Sequence, residues 1–539
     1  MSTVARPIPL LTPLLALAAL VAIACGSGSP QPPVTPTASP SASPAIETSP
    51  QTCRGDIASE PPDLTIYGAD ADDFLADRFS LASGDFNGDD MDDILVGAPK
   101  ADGPDESRQN AGEAYVILGS DPLTATIDLA EPEAADITIF GEEINDNFGF
   151  TVAAGDVNGD GIDDILIGGR FASHQDRMLV GKVYIIFGRA DMPAMVDTAA
   201  GDQDVTIVGV DGGDFAGIAL GSGDVNGDGA DDVIIGASNA GGPRNGRVRS
   251  GEVYVVTGGD DLPSLIDLGQ EEPFFTVFGR AESDALPNYI TTGDLDGDGN
   301  QELLLGAPFA SRDDPPREQA GEAYIIPVPA EGGVLDLASG QGFTTITGNH
   351  QDHLGFYVAA GDVNGDGLDD ALITAKDTDG PDSDSARANS GSVLLLLGSQ
   401  ALPSSLDLAE TSPDVTIHGA SFGDRLGFTV AAADIDNDGI ADVLMGAPTA
   451  DSCENSRPDG GNAYVLLGRP DLADTIDLSL GEASLSIFGA EAGDELGFAL
   501  AAGDINGDGK DDLLIGALLA DGPDNAREDA GEAYIILSR

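Results

Sequence analysis

Residues 147–169 read NFGFTVAAGDVNGDGIDDILIGG, and residues 181–188 read GKVYIIFG after a polar stretch. Short runs of Val, Ile, Leu and Tyr alternate with turns rich in Gly, Asp and Asn, which is typical of short β-strands. No segment has the sustained 3.6-residue apolar period of a helix, so the unit is predicted to be all β. The predicted strands are A (Phe150–Gly155), B (Asp164–Gly168), C (Val183–Phe187) and D (Val205–Val208).

This unit occurs seven times. Its central nine-residue motif begins at Asp85, Asp156, Asp224, Asp294, Asp362, Asp434 and Asp504. A fixed period with four short strands per copy favours a β-propeller over an open solenoid. The fold class is therefore predicted to be all-β, a seven-bladed β-propeller of four-stranded antiparallel blades spanning residues 63–539.

The two ends of the repeat region test this prediction. Residues 63–68 (DLTIYG) match the strand D of other copies, such as DITIFG at 136–141, and the chain ends with a strand C at 533–537. The last copy therefore lacks the strand that the start has in excess. Pairing of the N-terminal strand (64–67) with the C-terminal strand (534–537) would close the ring and leave no unpaired inner edge.

The motif between strands A and B has the composition of a cation-binding loop. Oxygen-bearing side chains occupy positions 1, 3, 5 and 9, position 7 can offer its backbone carbonyl, and Gly at position 6 permits a tight turn. Hard oxygen ligands without His or Cys suit Ca²⁺, so we predict up to seven calcium ions. The predicted ligands are Asp85, Asn87, Asp89, Met91 and Asp93; Asp156, Asn158, Asp160, Ile162 and Asp164; Asp224, Asn226, Asp228, Ala230 and Asp232; Asp294, Asp296, Asp298, Asn300 and Glu302; Asp362, Asn364, Asp366, Leu368 and Asp370; Asp434, Asp436, Asp438, Ile440 and Asp442; and Asp504, Asn506, Asp508, Lys510 and Asp512.

Two other loop types share part of this pattern. An EF-hand needs a bidentate Glu at position 12, but that position is apolar in every copy: Val96, Ile167, Ile235, Leu305, Ile373, Met445 and Ile515. Acidic turns held by Asx hydrogen bonds alone are the second alternative, yet turns do not require three or four carboxylates at one point. Calcium is expected to be mainly structural, joining strand A to strand B.

The copies resemble FG-GAP repeats, the units of the integrin α-subunit N-terminal propeller, which also occur in bacterial surface proteins. The FG element stands as Phe148-Gly149 and as Leu-Gly at 354–355, 426–427 and 496–497. The GAP element stands at 97–99, 306–308 and 446–448. Departures occur as Ala216-Gly217, Pro287-Asn288 and Thr374-Ala375-Lys376. The resemblance implies that the B–C and D–A loops share one face, opposite the metal loops, and that an unknown protein or glycan ligand binds there.

The N-terminal residues predict export. Leu10–Ala24 is apolar but too short to span a membrane, so residues 1–24 are predicted to be a signal peptide. Val21–Gly26 resembles a bacterial lipobox, which implies lipidation of Cys25, although ordinary cleavage with a free Cys25 is the alternative. Residues 25–62, rich in Pro, Ser and Thr, read as a tether. The expected location is extracytoplasmic, with the membrane reached by the lipid anchor only.

Charge and motif content narrow the function. With 94 acidic against 23 basic residues and a net charge of −71, the chain would be repelled by nucleic acid. It contains no P-loop or H-E-x-x-H motif, and no catalytic residue is predicted. The prediction is a calcium-binding adhesion or recognition module at the cell surface. The alternatives are an enzyme or enzyme accessory domain with a site on the B–C/D–A face, and a purely structural envelope component.

Three smaller features of the sequence have a structural or chance interpretation as well as a functional one. His350 and His353 form the only His pair and are expected in a polar surface loop rather than at a metal or acid/base site. Arg54-Gly55-Asp56 spells a tripeptide that some integrins bind, with chance as the default interpretation. Cys53 and Cys453 could form a disulfide in an oxidising compartment, but the predicted topology places them at opposite faces.

Overall fold

A computed structural model describes residues 55–104, 107–313, 315–381 and 385–539. Seven antiparallel sheets form the blades, and the first strand of each blade contacts the first strands of both neighbours, so that these strands form a closed ring. The predicted seven-bladed propeller is confirmed. The predicted signal peptide (residues 1–24), Cys25 and residues 25–54 of the predicted tether lie outside the described residues.

Strands A to D have the following bounds. Strands A, in blades 1 to 7, are Leu81–Gly84, Phe148–Gly155, Ala219–Gly223, Ile290–Gly293, Val358–Gly361, Thr429–Ala433 and Leu496–Gly503. Strands B are Asp93–Ala98, Asp164–Gly169, Asp232–Ala237, Glu302–Ala307, Asp370–Ala375, Asp442–Ala447 and Asp512–Ala517. Strands C are Glu113–Ile117, Lys182–Ile186, Glu252–Val256, Glu322–Ile326, Ser392–Leu396, Asn462–Leu466 and Glu532–Ile536. Strands D are Ile137–Phe140, Val205–Val208, Phe275–Phe278, Thr344–Thr347, Val415–His418, Leu485–Phe488 and, for blade 7, Leu64–Tyr67.

Six blades carry a fifth outer strand, E, which the four-stranded prediction omitted. Strand E runs parallel to strand D. It is supplied by the C–D connection of the following blade, so each blade is completed by its neighbour. In blades 1 to 5 and 7 these strands are Met195–Asp197, Leu265–Asp267, Gly333–Asp336, Ser405–Asp407, Thr475–Asp477 and Thr126–Asp128.

The remaining elements are short. A two-stranded hairpin in blade 4 joins Arg312–Asp313 to Pro316–Arg317. One α-helical turn is formed by Ser452–Asn455, and the 3-10 turns are Pro243–Asn245, Leu337–Ser339, Ser385–Arg387, Leu478–Leu480 and Pro523–Asn525. Within the described residues no helix is long and apolar enough to cross a membrane.

The ring closes at blade 7, where the N-terminal strand D pairs antiparallel with the C-terminal strand C. Leu64 lies opposite Ile535, and Tyr67 lies opposite Glu532. The predicted closure is confirmed, with the partner segment two residues earlier than 534–537. Leu64, Ile66 and Ile535 are at most 1% exposed, so the closing strands are part of the core.

The core lies between blades, which explains the continuous apolar sequence of the B strands. In blade 1, Leu95 packs with Ile165 of blade 2, whereas Ile94 and Val96 pack with Leu514 of blade 7. Successive side chains of a strand point to opposite faces. Because both faces of strand B are covered by neighbours, both sets of side chains must be apolar.

Blade 6 has no strand E among the described residues, and residues 55–57 occupy that place. Asp56 forms a parallel bridge with Phe488 of strand D, and the Ile57 N–H donates to the Phe488 carbonyl at 3.2 Å. Residues 55–62, predicted as tether, therefore belong in part to the folded unit. Cys453 is disulfide-bonded, although opposite faces had been predicted for Cys53 and Cys453; its partner cysteine lies outside the described residues.

Candidate metal centre

The first residue of each A–B loop organises the turn. In blade 2 the Asp156 carboxylate accepts backbone N–H groups of Gly159, Asp160 and Gly161 at 2.8 to 2.9 Å. The first Asp accepts the N–H groups of positions 5 and 6 in all seven loops. Position 6 needs a positive φ, 88° at Gly161, and Asp90 adopts 67° at the same position of loop 1. Loop 1 therefore carries the backbone strain that Asp at this position implies.

The carboxylate at position 9 lies at the buried start of strand B. Asp164 is fully buried and accepts the Gly188 N–H at 2.9 Å, which connects the loop to the end of strand C. Five other loops repeat this bond. Glu302, with its longer arm, accepts instead from the N–H groups of Leu295 and Asp296. Position 9 thus fixes the loop to the rest of its blade.

Burial raises the pKa of every position 9 carboxyl, and the neighbouring loop carboxylates raise it further. The pKa reaches about 7 at Asp93, Asp164, Asp232 and Glu302. It reaches about 6 at Asp370, Asp442 and Asp512. A buried anion among other anions is unfavourable unless a proton or a cation neutralises it. The charge distribution of the loops therefore favours a bound cation.

Position 3 divides the loops into two kinds. In five loops an Asn there directs its side-chain amide to the position 9 carboxylate, at 3.1 Å for Asn158 and Asp164. In loops 4 and 6 position 3 is an Asp, and carboxylate oxygens of three residues converge to within 4.8 Å of one another. These triads are Asp294, Asp296 and Glu302, and Asp434, Asp436 and Asp442. Three acidic groups at this spacing fit a hard divalent cation.

The remaining predicted ligands lie nearer the surface. Asp160 at position 5 is exposed, and its carboxylate accepts the Ile162 N–H at 3.1 Å. The Ile162 side chain lies against the preceding loop, where a Cβ on Gly88 would meet its Cδ1 at 3.0 Å. Position 7 therefore packs between loops with its side chain, and coordination by its carbonyl stays a prediction.

A contact that the sequence analysis missed connects each loop to its neighbour. The position 8 N–H donates to the position 1 carbonyl of the preceding loop, for example from Asp163 to Asp85 at 3.2 Å. The same bond occurs at all seven junctions, including Asp92 to Asp504 across the closure. Four position 8 carboxylates also accept the position 1 N–H. The recurrence of Asp at position 8 was the available sequence signal for this ring.

The B–C/D–A face, opposite the metal loops, carries the acidic and basic side chains that an enzyme site would need. His353 Nδ1 and Lys376 Nζ lie 2.8 and 2.5 Å from the Asp377 carboxylate. Burial alone would raise the pKa of Asp377, but the hydrogen bonds from His353 and Lys376 lower it to about 2. A carboxylate held so firmly ionised is a weak proton acceptor at neutral pH. His350 is exposed and accepts the Glu318 N–H at 3.2 Å, as expected for a polar surface loop.

Comparison with known protein families finds a match to the repeat unit of this chain. Six segments of the chain match the FG-GAP repeat. They are residues 79–117, 148–186, 216–256, 290–326, 426–466 and 496–536, which fall in blades 1 to 4, 6 and 7. Blade 5 is not among the matched segments, and it has Thr374-Ala375-Lys376 where GAP stands elsewhere. The molecule is thus similar to an FG-GAP propeller of the integrin α type.

Curated relatives fall into two groups. The chain is 23% identical to a phosphatidylinositol-glycan-specific phospholipase D of Dictyostelium discoideum over 84% of this chain and 50% of that protein. It is 32% identical to integrin alpha pat-2 of Caenorhabditis elegans over 45% of this chain and 19% of that protein, and 30% identical to integrin alpha-5 of Xenopus laevis over 42% and 19%. The chain spans half or less of the length of these relatives. A solved structure of BBS1N in complex with ARL6DN covers 88% of this chain and 98% of that chain, with a TM-score of 0.43 and 7% identity.

Proposed function

We propose that this chain is an extracytoplasmic, calcium-stabilised recognition module that binds a protein or glycan partner through its B–C/D–A face. The observation that carries the calcium part is the set of seven buried position 9 carboxyls, each with a raised pKa, beside further loop acids. A cation there would neutralise charge that the protein otherwise buries at a cost.

The recognition part rests on architecture. The A–B loops are short, hydrogen-bonded to one another and similar in all blades. The B–C loops differ in sequence and local structure, from a 3-10 turn at Pro243–Asn245 to a hairpin at Arg312–Arg317. Variable loops on a rigid scaffold are where binding sites usually lie. Similarity to integrin α propellers supports the same assignment.

We further propose that lipidation of Cys25 holds the module at the cell envelope of a bacterium, with the following Pro/Ser/Thr-rich segment as spacer. A Cys25→Ser variant would leave the propeller intact but move it from the membrane fraction to the soluble fraction. If wild-type and variant distribute identically, the lipid anchor is disproved and the recognition module is unaffected.

An accessory role in an enzyme system is the second candidate, because phospholipase D relatives match most of this chain. Both candidates are tested by capture from envelope extract in Ca²⁺ and in chelator, followed by identification of the retained component. A retained surface protein or glycan supports recognition. Hydrolysis of a glycosylphosphatidylinositol anchor by the purified chain would overturn it.

A further inference from the structure

The mouth of the central channel on the B–C/D–A face is ringed by aromatic side chains. Tyr289 and Tyr357 stack with ring centroids 3.7 Å apart, and Phe79 stacks on both at 5.5 and 6.0 Å. Phe356, Phe428 and Phe498 continue the ring, each 4.8 to 5.2 Å from the next. A ligand that approaches the channel from this end would meet these rings first.

Blade 1 places a cation on this ring through a local insertion. The Ala76 N–H bonds to the Gly97 carbonyl as the Gly217 N–H bonds to that of Gly236 in blade 3. Leu81 then pairs with Val96 as Leu220 pairs with Ile235. Four residues separate these two landmarks in blade 1 but two in blade 3, so blade 1 has two extra residues. Arg78 lies in this longer segment.

The Arg78 guanidinium lies over rings that come from three blades. Its central carbon is 4.0 Å from the Phe79 centroid, 4.6 Å from that of Phe356 and 5.5 Å from that of Phe428. Blades 1, 5 and 6 therefore share this one cation at the centre of the mouth. A guanidinium stacked on rings keeps its in-plane N–H donors directed outward.

Arg170, directly after strand B of blade 2, repeats the arrangement. Its guanidinium carbon is 3.4 Å from the Phe150 centroid and 4.6 Å from that of Phe171. Its Nε is buried and has no hydrogen-bond partner in the described part of the chain. A contact from Nη2 to Asn147 at 3.4 Å is at the limit of a hydrogen bond.

Among the described residues, Arg78 and Arg170 are the arginines that lack an ion pair without being exposed; Arg244 and Arg249 also lack one but are exposed. Thirteen arginines form ion pairs. Among the described residues, no carboxylate oxygen lies within 4.0 Å of a side-chain nitrogen of Arg78 or Arg170. Asp77 is the nearest acid in sequence, and its carboxylate accepts the Arg78 backbone N–H at 2.6 Å. Asp77 attracts both guanidinium groups without forming an ion pair with either. Two half-buried arginines that share one such acid leave an excess of local positive charge in a chain with 94 acidic residues.

We infer that Arg78 and Arg170 form a binding site for carboxylate side chains of an acidic peptide segment on a partner protein. This inference rests on the proposed recognition function and names its contact chemistry. Guanidinium groups bind carboxylates through paired N–H donors, and partial burial strengthens the attraction. Arg78, Arg170 and Lys376 cover five of the phenylalanine rings, with Lys376 at 4.6 Å from Phe356. These faces are not free to stack on sugars. A long polyanion would also face the acidic surroundings, whereas a short acidic segment reaches the mouth.

The test uses the absence of Trp from the chain. An acetylated, amidated peptide of sequence WGEGEG has its fluorescence excited at 295 nm, and its anisotropy reports binding to the whole propeller in Ca²⁺. The control peptide is WGQGQG. We expect saturable binding of the acidic peptide only, weakened at least tenfold by Arg78→Gln or Arg170→Gln. Arg244→Gln is the matched control, because Arg244 is exposed on a loop of the same face and has no ion pair among the described residues.

Folding is checked by the melting temperature. Each glutamine variant loses the stacking of a guanidinium on the rings and its attraction to Asp77. Both variants should therefore melt somewhat lower than wild type, remain folded at the temperature of the binding measurement, and lose the peptide. Equal binding of the two peptides, or acidic-peptide binding unchanged by both substitutions, overturns the inference. Binding of an oligouronate in place of the peptide, sensitive to Arg78→Gln, overturns the peptide assignment in favour of a glycan. If a partner is captured equally well by the wild type, Arg78→Gln and Arg170→Gln, the recognition function is supported and only this binding site is disproved.

Discussion

Arg457 and Asp56 form an ion pair, with Nη2 2.7 Å from Oδ1, that holds the N-terminal segment on blade 6. The same relationship recurs in every blade. An Arg of the B–C loop binds the Asp at the end of strand E, at 2.5 to 2.8 Å, and also donates to carbonyls that follow strand D. In blade 6, Asp56 takes the position that the last residue of strand E supplies elsewhere.

Substitution of Asp56 by Asn should release residues 55–62 from blade 6. The pair is largely buried, with side chains 16% and 12% exposed, so its loss should cost about 1.5–3 kcal/mol locally. Hydrogen exchange of residues 55–62 and limited proteolysis measure the release. Asp471→Asn is the matched control, since its pair with Arg469 is 3.8 Å long and Asp471 is 94% exposed. Equal hydrogen-exchange protection of residues 55–62 in both variants would show that the Arg457–Asp56 ion pair does not hold this segment on blade 6.

This pair also bears on the Arg54-Gly55-Asp56 tripeptide. Asp56 is only 9% exposed and its carboxylate is bound by Arg457. An RGD-binding integrin would require that carboxylate in solution. We therefore expect no specific capture of the folded protein by an RGD-binding integrin, measured against the Asp56→Asn variant.

Chelation of divalent cations should lower the melting temperature. A ligand bound only by the folded state stabilises it by about 2.7 kcal/mol per site at a hundredfold excess over Kd. The acidic triads of loops 4 and 6 should respond most, because no Asn amide faces position 9 there. The double variant Asp296→Asn with Asp436→Asn should therefore lose part of the calcium dependence and gain stability in chelator. Unchanged melting in excess chelator would disprove structural calcium.

The metal-free protein should become less stable as pH rises from about 5 to 8. The pKa of the position 9 carboxyls is raised from 3.8 to about 6 or 7 in the folded state. Their contribution is therefore fully present below the unfolded pKa near 3.8 and is lost as pH rises through 6 to 7. Melting temperatures in chelator across this range measure the slope.

Calcium should reverse that trend, because a cation binds the deprotonated carboxylate and competes with protons. Glu252 and Glu532 also have pKa values raised to about 7, by burial first, but they lie outside the metal loops. They contribute equally with and without calcium. The difference between the two pH curves therefore isolates the loops, and two parallel curves would contradict the assignment.

The features that could be predicted from the sequence are those whose pattern recurs within each repeat. Blade number, strand order and closure were predictable because the apolar runs and turn residues recur within each copy. Strand E was not, since Thr475–Asp477 and its equivalents are only three or four residues long and belong to the next copy in sequence. In blades 1 to 5 the Asp–Arg ion pair joins residues about 90 apart, as in Arg177 and Asp267, and in blades 6 and 7 it joins the two ends of the repeat region. Only the closed ring brings these residues together.

The metal loops could likewise be predicted only in part from the sequence. Positions 1 and 9 could be named from their spacing, but the buried state of Asp164 depends on the Gly188 backbone and on neighbouring blades. The cation at the channel mouth depends on rings from blades 1, 5 and 6. The repeat pattern does not predict this contact, because Arg78 lies in the segment of blade 1 that is two residues longer than its equivalent in blade 3.

Closure of the ring should control solubility as well as stability. Ile66 is fully buried and lies opposite Ala533 in the closing pair. Ile66→Asp would bury an unpaired charge between blades and detach the N-terminal strand, leaving strand C of blade 7 with an open edge. We expect a loss of several kcal/mol and concentration-dependent association, measured by thermal melting and light scattering. The matched control is Ile144→Asp, an exposed position in a D–A loop, which should leave both unchanged. A soluble, wild-type-like Ile66→Asp protein would show that strands 64–67 and 532–535 do not hold the ring together.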